Sequence, residues 1–193
     1  MGSDDGLGEP GSKIAIVYAT RDGHSERIAQ RIAARLGDSG ATSVGSLLWS
    51  PPPAFDAGTV VIVAVLAVRY GRVLPEGAKF LTAFAGQERA PPLALAIVNL
   101  VARNAQRRTP ETNPYLRNTL ARHGLKPALA TAFAGRLNYP KYRFFDKQII
   151  RLIMAMTGGP TDGVSDIEYT DWAQVDGFAA DVLALAATRS RGA

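Results

Sequence analysis

The sequence has no cysteine. That excludes disulfides, thiolate nucleophiles, thiol redox chemistry and cysteine-held metals or iron–sulfur clusters. It has two histidines, His24 and His123, far apart in the chain, which disfavours a histidine zinc site, so no metal is expected. No apolar run reaches the length of a bilayer span. No basic–apolar–small signal segment opens the chain. Any redox chemistry therefore falls to an organic cofactor. An acidic excess is also missing: 22 Lys and Arg against 17 Asp and Glu leave a net charge of +5 and a pI near 9.7. Such a balance suits anionic partners, namely nucleic acid, an acidic membrane surface or a carboxylate substrate. The expected location is the cytoplasm, with peripheral contact at the inner face of the cell membrane.

What is present suits one domain: 193 residues, 47% of them hydrophobic. Residues 1–12 (MGSDDGLGEPGS) are Gly-rich and aperiodic, and read as a disordered leader or an expression remnant. The domain is expected over 13–188, with an insert near 138–160. Lys13–Ala19 (KIAIVYA), Thr59–Val68 (TVVIVAVLAV), Leu93–Leu100 (LALAIVNL) and Ala128–Leu137 are apolar throughout, as strands buried on both faces are. Ala41–Leu48 is a weaker strand. Between them run helical patterns: Ser25–Leu36 stopped by Gly37, a stretch from beyond Gly71 to about Phe84, Tyr115–His123 stopped by Gly124, and Trp172 to about Ala187. Residues 101–114 read as a long polar loop. Strands alternating with helices predict an α/β doubly wound parallel sheet with helices on both faces.

The first strand-to-helix turn is over-furnished. Thr20, Arg21, Asp22, Gly23, His24 and Ser25 fill a link that one or two polar residues make unaided. Ligands of such sheets bind outside the carboxyl ends of the strands, where helix N-termini present free N–H groups and positive dipole ends. The Thr20 and Ser25 hydroxyls, with the N–H groups of Arg21, Gly23 and His24, suit a phosphate; a bare helix cap on Asp22 or Ser25 is the plainer reading. The turn is neither G-x-x-x-x-G-K-[ST] nor G-x-G-x-x-G, which disfavours nucleotide triphosphatases and dinucleotide folds. The central strand ends Ala67-Val68-Arg69, without the aspartate of a phosphoacceptor domain.

T-x-D-G-x-S resembles the flavodoxin loop that holds the FMN phosphate. In that fold two more strand ends embrace the flavin ring. Here they correspond to Ala67, Val68, Arg69, Tyr70 and Gly71, and to Asn99, Leu100, Val101, Ala102 and Arg103. Tyr70 is placed to stack on the ring or to pack on the sheet edge.

Three longer stretches narrow the likeness: VNLVARNAQRRTPETNPYLR, GRLNYPKYRFFDKQIIRLIM, and TGGPTD followed by EYTDW. With them the chain resembles the menaquinone-dependent protoporphyrinogen oxidase family from Lys13 to about Leu185. That resemblance implies a flavodoxin-like fold, FMN, and a role in heme biosynthesis. The reaction it implies removes six electrons from protoporphyrinogen IX to give protoporphyrin IX, with menaquinone or a related quinone as acceptor. It names no catalytic side chain, since the cofactor carries the chemistry. The chain departs from the family around R-Y-G, with Val65, Leu66 and Ala67 before it and Arg72, Val73 and Leu74 after. A flavodoxin-type electron carrier and a diverged flavoprotein with another substrate are the alternatives, and the basic charge argues against a carrier.

Two further features bear on partners. Arg107, Arg108, Arg136, Lys141 and Arg143 are dense in cations, and Arg forks suit the two propionates of the implied substrate; a solvated basic loop is the alternative. No nucleic-acid motif accompanies the charge. In KYRFFDKQIIRLIMAM (141–156), Phe145, Ile149, Leu152 and Met156 share one helical face, and Lys147 and Arg151 another. This reads either as an interfacial helix on anionic lipid or as a core helix with a solvated side.

Overall fold

The computed structural model describes residues 13–37, 42–48, 58–141, 148, 150–152, 154, 155 and 159–190. Its centre is the eleven-residue strand β3 (Thr59–Arg69). Alternate side chains of a strand point to opposite faces, and here both faces are covered. Val61, Val63 and Val65 pack with Ile28, Ile32 and Phe178 on one side. Ile62, Ala64 and Leu66 pack with Phe80 and Leu81 on the other. The unbroken apolar run, rich in valine and isoleucine, is the sequence signature of that double burial.

Around β3 the parallel strands lie in the order β2 (Thr42–Ser46), β1 (Lys13–Ala19), β3, β5 (Leu93–Val98), β6 (Leu129–Phe133). The short β4 (Arg72–Val73) folds back antiparallel onto the end of β3. Helices α1 (His24–Leu36) and α4 (Trp172–Ser190) cover one face. Helices α2 (Pro75–Ala85) and α3 (Pro114–His123) cover the other. Strand order reverses between β1 and β3, which makes their carboxyl ends the switch point where open α/β sheets bind ligands.

Two expectations change. The apolar run 128–137 is not one strand. β6 stops at Phe133, and Arg136–Asn138 form β7, paired antiparallel with β8 (Asp166–Glu168) in a separate two-stranded sheet. The chain leaves the main sheet because the carbonyls of Ala134 and Gly135 bond to the 169–170 segment, accepting from the Thr170 hydroxyl at 2.9 Å and from the Tyr169 N–H at 3.2 Å. A Cβ at Gly135 would lie 3.3 Å from Val98 Cγ1, so the close approach of β5 favours glycine there.

The 101–114 loop is also more ordered than its polarity implies. It contains two 3₁₀ turns, Leu100–Arg103 and Ala105–Arg107. Asn99, Asn104 and Asn113 each accept backbone N–H groups at the start of the element that follows. Asn113 Nδ2 also donates to the Arg107 carbonyl at 2.8 Å and to Asn99 Oδ1 at 3.3 Å, the second bond tying the loop's two ends together. Residues 1–12 and most of 142–158 lie outside the described residues, including Arg143, Phe145, Lys147, Ile149 and Met156.

Phe133 is fully buried at the end of β6 and meets Phe178 of α4 edge-on, with ring centroids 5.6 Å apart. Phe133→Ala is expected to lower unfolding stability by about 3–5 kcal/mol. Urea denaturation measures this, and a loss under 1 kcal/mol would mean that α4 is not held through this contact.

Candidate functional site at the strand ends

A cleft with a cavity volume of about 130 Å³ opens at the switch point. Three segments build its walls. The turn after β1 contributes Arg21, Asp22, His24 and Ser25. The end of β3 contributes Ala67, Val68, Arg69, Tyr70 and Gly71. The segment after β5 contributes Asn99, Leu100 and Val101. Leu74, Val98, Tyr115, Gly135, Arg136 and Ile150 complete it.

Not every residue singled out in the sequence lines this cleft. Thr20 and Gly23 shape the turn from behind: the Gly23 N–H donates to Thr20 Oγ1 at 3.0 Å. Ala102 is fully buried in the core under α3. Arg103 donates to the Leu100 carbonyl and to Met154 Sδ, each at 3.4 Å. Arg108 donates to the Ala102 carbonyl at 3.0 Å and to Asp171 at 2.9 Å. Arg107 is exposed in a separate shallow hollow with Glu111 and Arg117. Arg136 reaches the cleft and makes a bidentate pair with Asp166. Lys141 ends a 3₁₀ turn (Tyr139–Lys141).

The turn itself is tightly made. Gly23, with φ 82°, occupies the N-cap position of α1 and has no side chain to cap it. Asp22 Oδ1 accepts the His24 N–H at 3.2 Å. Two of the N–H groups expected to meet a phosphate thus already have internal partners. Ser25 is buried. Arg21 forms a bidentate ion pair with Glu76 at the start of α2, which spans the mouth from one loop to the next.

The EYTDW motif packs against this turn. His24 Nε2 lies 2.6 Å from Thr170 Oγ1. Glu168 accepts from Arg27 at 2.9 Å and from Trp172 Nε1 at 2.8 Å. Burial raises the Glu168 carboxyl, but the bonds from Arg27 and Trp172 carry it below its ordinary value. The Arg108 hydrogen bond holds Asp171 low as well. Burial pushes His24 down against the pull of Glu168 and Asp22. From sequence alone this motif has no evident place at the turn, because Arg27 and His24 lie some 140 residues upstream.

Two buried polar atoms in the cleft wall have no hydrogen-bond partner among the described residues: His24 Nδ1 and Asn99 Nδ2. Tyr70 stands 61% exposed at the rim. Its φ of 51° is the one positive value at a non-glycine among the described residues. Apolar walls, an exposed aromatic ring, unsatisfied polar atoms and a helix N-terminus form a donor set suited to a flat aromatic ligand with an anionic tail.

The sequence profile of the flavodoxin domain family matches residues 15–163. The chain belongs to that family. Membership implies a flavin cofactor, and the donor set fits one. The protoporphyrinogen IX dehydrogenase [quinone] of Escherichia coli (strain K12) is 36% identical over 174 residues, which are 90% of this chain and 96% of that protein. The protein of the same name from Leishmania major is 36% identical over 176 residues, 90% of this chain and 75% of its own. Among solved structures, oxidised flavodoxin 1 from Bacillus cereus superposes with a TM-score of 0.56 at 14% identity, covering 90% of this chain and 98% of its own. An archaeal flavodoxin gives 0.53 at 14% identity, with the same coverages. These likenesses establish the flavodoxin-like α/β fold; the parallel sheet of five strands carries it.

The left-handed backbone at Tyr70 gives a direct test. Asn tolerates this region and a β-branched residue does not. In the flavin-free protein, Tyr70→Asn should leave thermal stability nearly unchanged, while Tyr70→Val should cost about 1–2 kcal/mol. Equal losses would show that the ring, and not the backbone, decides stability there.

Proposed function

We propose that this chain is an FMN-dependent, quinone-linked protoporphyrinogen IX dehydrogenase of heme biosynthesis. The observation that carries the reading is 36% identity to enzymes of that name across nearly the whole chain. The cleft at the strand ends is the matching site.

In this reading the turn Thr20–Ser25 and the N-terminus of α1 hold the phosphate. Ala67–Gly71 and Asn99–Arg103 flank the ring, with Tyr70 against it. When bound, FMN supplies a two-electron acceptor that can be reoxidised by a quinone. The protein's part is to orient and enclose. Leu74, Val98 and Ile150 give the cleft dry walls. Arg136 offers a fork to a propionate, exchanging Asp166 for it. Arg107, exposed on the 101–114 loop, is the candidate for the second carboxylate. Lys141 and Arg143 are further cations of the same stretch of sequence. No side chain is assigned as a general base.

Among the described residues no helix is long and apolar enough to cross a membrane. A quinone, menaquinone in the family resemblance, is nonetheless lipid-soluble, so the reading needs contact with the membrane surface. The described part of the 141–156 stretch supports it. Leu152 is 63% exposed beside exposed Arg151, while Ile150 turns into the cleft. Basic and apolar groups side by side suit anionic lipid.

The decisive experiment titrates FMN by fluorescence quenching, then adds protoporphyrinogen IX and a quinone analogue and follows porphyrin emission. FMN binding with quinone-dependent porphyrin formation is expected. Binding without turnover would instead favour an electron carrier or another substrate, and no binding would overturn the reading altogether. In a second test, the protein should co-sediment with vesicles containing anionic lipid at low salt, and less so after Leu152→Asp. Protein that stays in the supernatant at low salt overturns the membrane contact.

A further inference from the structure

His24 sits where the proposed phosphate arrives. It is the first residue of α1, only 5% exposed, and it lines the cleft. Its tautomer follows from its neighbours. The Thr170 hydroxyl gives its single hydrogen to the Ala134 carbonyl at 2.9 Å. The Thr170 oxygen can then only accept, so His24 Nε2 carries the hydrogen across the 2.6 Å contact. Nδ1 is left as a bare acceptor, buried and without a partner among the described residues.

A ring held this way has one vacant position for a proton and no donor left for an anion. A phosphate monoester dianion needs donors. We propose that His24 takes up a proton from solvent at Nδ1 when such a dianion binds at this turn, with Thr170 as the positioning residue that fixes which nitrogen receives it. The inference rests on the flavin reading above. The balance is simple: one proton leaves solvent, one N–H bond forms, and no electron moves.

The surrounding charges set the direction. Asp22 in the turn and Glu168 on β8 favour the protonated ring; Arg27 on α1 and Arg136 on β7 oppose it, as does burial. Trp172 of α4 packs at 6.3 Å between ring centroids and adds no charge. Without ligand, burial holds the ring neutral near pH 7. Two added negative charges reverse that balance. The His24 pKa is therefore higher in the complex than in the free protein. Affinity is then greatest below the free pKa, falls as pH rises through the interval between the two, and is level above it.

With two histidines in the chain, His123→Gln leaves His24 as the sole imidazole for ¹⁵N spectroscopy. The flavin-free protein should show the neutral Nε2–H tautomer at pH 7, and saturating FMN should convert it to imidazolium. FMN affinity should fall by up to ~10-fold per pH unit within that interval, measured above the second phosphate ionisation near ~6. The slope should vanish with riboflavin, which lacks the phosphate, and in His24→Gln. Thr170→Val should scramble the tautomer, and Thr170→Ser should restore it. A ring that stays neutral in the FMN complex, or that is Nδ1–H beforehand, overturns this inference alone. A failure to bind FMN overturns the flavin reading and this inference with it.

Discussion

A parallel sheet covered on both faces has one place left for polar chemistry. β1, β3 and β5 each pair with a parallel strand on both sides, and their buried faces are apolar. Unsatisfied backbone groups are confined to the strand ends and the helix N-termini beside them. The cleft, its polar lining and its orphaned atoms all lie there. The position of the site is a consequence of how the core is buried.

That edge is held by a few charged and hydroxyl groups from the far end of the chain. Thr170 ties His24 to the carbonyl of Ala134. Asp171 holds Arg108, which in turn holds the carbonyl of Ala102. Glu168 joins Arg27 to Trp172, and Arg27 lies over the Trp172 ring at 5.4 Å. Four residues thus brace the loops after β1, β5 and β6. Individually such part-exposed pairs contribute little to stability; their effect is to limit how far the loops move apart.

The sheet was legible because double burial writes itself as continuous apolar sequence, as in β3. The turn at Thr20–Ser25 was legible because it carries more polar groups than a link needs. What escaped depends on partners. An apolar run such as ATAFAGRLN gives no sign that backbone bonding changes at Ala134 and Gly135. The Arg-rich loop conceals Asn99, Asn104 and Asn113, whose side chains organise it. Arg108 and Arg107 are neighbours of one type, yet one is tied into the fold and the other faces solvent. Only the packing of Asp171 and Ala102 distinguishes them.

The bond between His24 and Thr170 joins residues 146 positions apart. During synthesis the first strand, turn and helix leave the ribosome long before their brace exists. Contacts of such separation form late, since the intervening chain must first be ordered. The turn can be sketched early but reaches its final shape only when the last helix docks. A protein truncated before the EYTDW motif would carry the cleft's walls without the bonds that hold the loops after β1, β5 and β6 together.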